Sequence, residues 1–197
     1  MNALYELFLM QQAVSTLFSV TNKLQAAGDQ YIKKLTVRQI MVMVAIIHLP
    51  ENRANLNNIA RKLGTTKQSV RQPVAAMEKK GYLEMVPSEK DKRAVNVQIT
   101  NEGRETFLSC NNTSLAYFAD VFHDFSSEEL ESLWKLLKKL YCFDGRAQDG
   151  FEQDVNYGSE NGYSDSQLDE IQKFRARRIR DAGNKNTAEA ERKNHNE

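Results

Sequence analysis

Between residues 65 and 72 the chain reads TTKQSVRQ, which gathers Thr65, Thr66, Lys67, Gln68, Ser69, Arg71 and Gln72 within about two helical turns. Together they are hydrogen-bond donors of different reach. Arginine matches the acceptor edge of guanine, glutamine matches adenine, and lysine and hydroxyls suit phosphate oxygens. On a helix, Val70, Val74 and Met77 fall on one face, while Lys67, Gln68, Arg71 and Gln72 fall largely on another. The first set is expected to pack inward, and the second can reach bases and phosphates. A second group, Lys92 and Arg93, closes the turn SEKDKR at 88–93. An arginine on a projecting turn suits a narrow, electronegative minor groove.

Other chemistry is poorly provided for. The sequence has no Gly-rich phosphate loop, nucleophile elbow or HExxH helix, so an enzyme is not expected. His48, His123 and His195 share no ligand spacing, and no metal or cofactor is expected. Cys110 and Cys142 are too few for a disulfide framework; both sit in otherwise apolar helical stretches and read as inert buried thiols of a reducing compartment. The longest apolar run, Ile40 to Ile47, falls far short of a bilayer span. Glu6 stands where a signal peptide would be basic, so a cytoplasmic protein with no membrane partner is expected.

The donors need elements to hold them. Ala3 to Ala27 is a long apolar-faced helix stopping at Gly28, and Thr36 with Gln39 forms a capping box for a helix through Leu49, ended by Pro50. Leu56 to Leu63 is a short helix closed by Gly64. Thr66 caps the next, which runs to Lys80 with Pro73 inside it, where a kink is expected. Tyr82 to Val86 and Val95 to Ile99 read as two strands around the 88–93 turn, the second by its alternation. Thr100 starts a helix towards Asp124, and Ser126 with Glu129 caps a last one carrying Leu130, Leu133, Trp134, Leu137, Leu140 and Tyr141. The aromatics and methionines of the first and last two of these helices read as core and interface rather than as a cofactor box.

Short helix, glycine turn, donor-bearing helix and ribbon, in that order, describe a helix-turn-helix with a wing. The segments LTVRQ at 35–39, LNNIARKLG at 56–64 and LEMVPSEKDKRAVNVQITNEG at 83–103 make it more specific. The most distinctive is D-x-R, a strand, then I/L-T-x-x-G, here Asp91, Arg93, Ile99, Thr100 and Gly103. From about Leu35 to Leu140 the chain resembles a winged-helix regulator of the MarR (multiple-antibiotic-resistance regulator) family.

The resemblance implies a mostly α fold with a small β-wing, its winged helix-turn-helix core flanked by N- and C-terminal dimerisation helices. It assigns 1–35 to the N-terminal dimerisation helix, 36–100 to DNA binding and 101–143 to the C-terminal dimerisation helices. It also implies a homodimer on double-stranded, pseudo-palindromic DNA, acting as a repressor that a small-molecule effector or other signal releases. Asp91 would order the wing, Arg93 would enter the minor groove, and Lys67, Gln68, Arg71 and Gln72 would contact major groove or backbone. Met85 departs from the pattern, since relatives usually carry a basic residue there, and so does Pro73. Those departures fit an alternative, a winged-helix module that binds protein and has lost DNA specificity.

Residues 144–197 form a polar tail, with a possible short basic helix at 167–180 (QLDEIQKFRARRIR). Three roles are open to that helix: solvated tail, DNA-backbone contact, or docking on the acidic linker before it. The whole chain of 197 residues has a formal net charge of +1, a cancellation rather than an even mixture. Residues 53–93 are net +6, 144–170 net −7 and 171–180 net +5. An acidic tether of this kind can compete with DNA for the basic face.

Overall fold

The computed structural model describes residues 2–50, 52–87, 95–145, 151, 169 and 171–177. Seven helices and two strands follow in the order α1 (Ala3–Tyr31), α2 (Val37–His48), α3 (Leu56–Lys62), α4 (Lys67–Lys79), β1 (Leu83–Pro87), β2 (Val95–Ile99), α5 (Asn101–Ser109), α6 (Asn111–Val121) and α7 (Ser127–Tyr141). Residues 171–177 are also helical. The mostly α class with a small β-wing is what the sequence reading expects.

The helix starts are set by side-chain caps. Thr36 accepts from the Gln39 amide while the Gln39 side chain accepts from the Thr36 amide, and Ser126 and Glu129 repeat the arrangement. Thr66 and Thr100 each accept from the amide three residues on. Such caps satisfy amides that a helix start leaves unbonded, each stabilising by about 1 kcal/mol.

The head of the molecule is α2, α3, α4 and the β1–β2 ribbon around one core. Val42, Met43, Ile59, Val70, Met77, Leu83 and Val97 are almost wholly buried there. Burying each side chain stabilises by roughly 1.5–3 kcal/mol. The ribbon is antiparallel, pairing Leu83 with Ile99, Met85 with Val97 and Pro87 with Val95. On the far edge of β2 the Val97 amide donates to the Ala54 carbonyl at 2.8 Å.

The strand alternation departs at two neighbours. Val95 is 44% exposed, while Asn96 is only 3% exposed and its side-chain amide donates to the Asn52 carbonyl at 3.1 Å. Asn52 takes the left-handed conformation, with φ 60°. Asparagine tolerates that conformation better than most residues, and the bond from Asn96 satisfies its carbonyl.

The stalk is α1 against α6. Helix α1 passes Gly28 and ends at Tyr31, one turn beyond the stop expected from the glycine. Gly28 is there for contact: a Cβ on it would lie 2.3 Å from Val37 Cγ2 and 3.5 Å from the Tyr117 ring. The Tyr117 hydroxyl donates to the Leu24 carbonyl at 2.9 Å, fixing α6 against α1.

The single helix expected from Thr100 towards Asp124 is two, broken at Cys110. The local sequence SCNNTS explains the break, because its side chains bond nearby carbonyls: Ser109 Oγ to Thr106 O at 2.7 Å and Thr113 Oγ1 to Cys110 O at 2.8 Å. Hydroxyl bonds of this type compete with helical order.

Apolar side chains remain uncovered on the outer helices. Gly28 is the one buried residue of α1 and α7 has none. Leu4, Phe8, Met10, Val14 and Phe18 on α1 and Leu136, Leu140 and Phe143 at the far end stand in solvent. Among the described residues no helix is long and apolar enough to cross a membrane.

Candidate nucleic-acid interface

Helix α4 is held from below and bare above. Val70, Pro73, Val74 and Met77 are buried against α2, α3 and β1. Thr65, Thr66, Lys67, Gln68, Ser69, Arg71 and Gln72 are all exposed, on the opposite side. The structure therefore brings the sequence-predicted donors of this segment onto one surface. Ala75 and Ala76 continue that surface towards the C-terminal end. Sequence reasoning passed over them because alanine donates nothing, yet small residues let a helix lie close in a groove, and an alanine methyl can meet a thymine methyl.

The turn before α4 fixes its entry. Asn55 caps α3 by accepting from the amides of Asn57 and Asn58. Gly64 then reverses the chain with φ 60°, a left-handed conformation that side chains with a Cβ rarely take. Thr66 and Ser69 are partly committed to the helix itself. The Ser69 amide donates to Thr66 Oγ1 at 3.2 Å, and the two hydroxyls lie 2.9 Å apart. Lys67, Gln68, Arg71 and Gln72 carry the longer reach.

Pro73 does not break α4, which is helical without interruption from Lys67 to Lys79. The ring lies on the buried face, where it packs as an apolar residue. The missing amide leaves the Ser69 carbonyl without its helical donor, and Ser69 is exposed to water. Pro73 therefore removes one rung of an uninterrupted helix.

At the base of the ribbon, Thr100 joins three elements. Its amide donates to the Tyr82 carbonyl at 3.1 Å, its hydroxyl donates to the Gly81 carbonyl at 2.6 Å, and it caps α5 through Gly103. The end of α4, the start of β1 and the start of α5 are locked at one residue. Met85 is partly exposed on β1. Asp91, Lys92 and Arg93 lie outside the described residues.

An open cleft of about 1090 Å³ runs between the α3–α4 turn and the end of α7, lined by Ala60, Thr65, Lys67, Leu137, Leu140 and Phe143 among others. Its floor is mixed, with apolar groups from α7 and polar groups from the head. Cys110 is buried and donates to the Thr106 carbonyl at 3.3 Å; burial, the largest influence, pushes its thiol pKa up, away from reactive thiolate. Among the described residues no group of three His, Cys, Asp or Glu side chains is placed to hold a metal ion.

Residues 33–94, from the entry to α2 through the ribbon turn, match the sequence model of the MarR family. The fold is a winged helix, and the segment 33–94 is similar to the MarR family. The proteins this chain is similar to are transcriptional regulators. Among curated proteins it is similar to the transcriptional activatory protein BadR of Rhodopseudomonas palustris, 27% identical over 138 residues that make up 68% of this chain and 79% of BadR. Among solved structures it is similar to Bordetella bronchiseptica BpsR, whose DNA binding is regulated by 6-hydroxynicotinic acid, with a TM-score of 0.58, 20% identity, 66% of this chain and 98% of that one covered. It is also similar to MepR of S. aureus in a DNA complex, with a TM-score of 0.56, 21% identity and coverage of 64% and 95%.

The MarR-family motif I/L-T-x-x-G now has a physical reading in this chain. Thr100 is the three-way joint just described, and Gly103 lies where α5 crosses Tyr82. The motif sets the pose of the ribbon and is not itself a reading group.

Proposed function

We propose that this protein is a sequence-specific, DNA-binding transcriptional regulator working in the cytoplasm as a homodimer. In this reading α4 enters the major groove of each half of a pseudo-palindromic operator. Lys67 and the hydroxyls of Thr65, Thr66 and Ser69 position it on phosphates, and Gln68, Arg71 and Gln72 read bases. Lys92 and Arg93 are proposed as wing contacts to DNA, Arg93 in the minor groove, with Asp91 as its orienting partner, on the strength of the sequence motif.

The exposed donor face of α4, opposite a face packed into the core, carries this reading. The homodimer rests on the apolar surfaces of α1 and α7, which this chain alone leaves in water. Residues 1–35 and 101–143 supply the dimer helices and 36–100 the DNA-binding domain. A regulator that represses until a small molecule loosens it is the mode proposed, with the cleft beside the α3–α4 turn as the effector's place. The solved relatives support DNA binding under ligand control, one as a DNA complex and one with ligand-regulated DNA binding.

Selection of random duplexes by the purified protein tests it. Enrichment of an inverted repeat is the expected result. Weak, salt-sensitive retention without sequence preference would leave only a non-specific cation surface.

A further inference from the structure

Two described parts of the chain beyond α7 are attached to the rest of the molecule, one to the head and one to the stalk. Phe151 packs on the head core at the ends of α2 and α3. Its ring meets His48 edge-on at 5.6 Å between centroids, and Lys62 Nζ lies 5.3 Å from the centre of the same ring. At the other end, the guanidinium of Arg177 grips Asp120 of α6 with two bonds, Nε to Oδ1 at 2.7 Å and a terminal nitrogen to Oδ2 at 2.6 Å. The Tyr31 hydroxyl donates to the same Oδ2.

The position of Asp120 makes this more than a surface ion pair. Tyr31 is the last residue of α1, and the head begins six residues later at Val37, whose amide donates to Asp29 Oδ1 at 2.6 Å. Arg177 therefore closes on the joint where stalk passes into head. None of the three roles open to the basic helix from sequence alone matches this docking. Its acceptor is Asp120, a carboxylate more than fifty residues away on α6, and not the neighbouring acidic linker.

We propose that Phe151 and Arg177 act together as a two-anchor strap: Phe151 seats on the head and Arg177 locks onto Asp120 at the stalk–head joint, so that the pose of α4 relative to α1 depends on whether the strap is docked. Fork-on-carboxylate bonding gives the lock its geometry. Each anchor alone is weak, since half-exposed ion pairs stabilise little and are screened by salt. On one chain the two reinforce each other, because docking of either raises the effective concentration of the other. The strap is thus firm at low salt and releasable.

The consequence for operator binding rests on the proposed DNA reading, but the strap itself does not. Asp120→Asn in the full chain leaves the tail sequence untouched, so trypsin cleavage after Lys173 and Arg175 reports docking directly. Cleavage at least tenfold faster than in the unaltered protein, with an unchanged rate in the core, is expected. The exchange Asp120→Arg with Arg177→Asp should restore protection to within about threefold, which a merely structural role for Asp120 would not do. Equal cleavage in the unaltered protein and Asp120→Asn would overturn the strap. If protection is lost while affinity for a selected duplex stays within twofold, the coupling to α4 is wrong. If the unaltered protein selects no duplex, the DNA reading fails and the cleavage result still stands.

Discussion

A Cβ atom on Gly103 would lie 2.0 Å from the carbonyl oxygen of Tyr82. Backbone oxygen cannot rotate aside as a side-chain tip can, so α5 must lift from the ribbon to admit even alanine. Gly103→Ala is expected to destabilise by roughly 3 kcal/mol, the upper end for overpacking a tight contact. Urea denaturation measures this, and a loss under 1 kcal/mol would show that the joint gives more easily than its geometry implies.

Arg71 and Lys67 share the exposed face of α4 but differ in chemistry. Arg71→Ala should weaken operator binding by about 1–3 kcal/mol and relax preference at one base position. Lys67→Ala should weaken binding evenly across sequences and lower the slope of log affinity against log salt by about 1. Titrations at several salt concentrations on matched and single-mismatch duplexes separate the two. Identical profiles would put both residues on the backbone.

Arg93→Ala is expected to weaken operator binding more than tenfold with the dimer intact. Gel-shift titration at fixed salt reads it, and unchanged affinity removes the wing from the interface.

Phe18 stands 72% exposed on α1. A charge placed there meets water in the monomer but an apolar partner in a dimer, so Phe18→Glu should leave the circular dichroism spectrum intact and shift sedimentation from dimer to monomer. A dimer that survives the change at micromolar protein is held by other surfaces.

The Tyr31 hydroxyl donates to Asp120, and that bond, followed by desolvation and the carboxylate's charge, raises its pKa above the ordinary value of 10.0. The folded value lies above the unfolded one. The stabilisation is therefore fully present below the ordinary tyrosine range and is lost as pH rises through the folded value. Asp120→Asn should return the Tyr31 ionisation, followed by NMR, towards the ordinary range and remove that part of the alkaline loss of stability. An ionisation that does not move would mean the hydroxyl has another partner in solution.

Much of this was readable in the residues themselves. Caps are local chemistry, so Thr36, Thr66, Thr100 and Ser126 marked helix starts that the structure keeps. The two faces of α4 followed from spacing alone. What failed was an inference from a single residue whose role depends on distant neighbours. Gly28 read as a stop, but its lack of a Cβ serves contact with Val37 and Tyr117. The role of Arg177 stayed open because Asp120 is far off in sequence, and no local pattern pairs them.

The Val97–Ala54 bond bears on how this protein behaves at high concentration. A two-stranded ribbon has two raw edges, each a template on which another ribbon can polymerise. Ala54 occupies the β2 side. Because Val97 bonds outward, its register partners on β1, every second residue from Leu83 to Pro87, present their amide positions to the other edge. Pro87 has no hydrogen to offer there. The ribbon's edges are thus partly blocked against amyloid-like stacking, so that a wing which must project from the body does not become a seed for fibres.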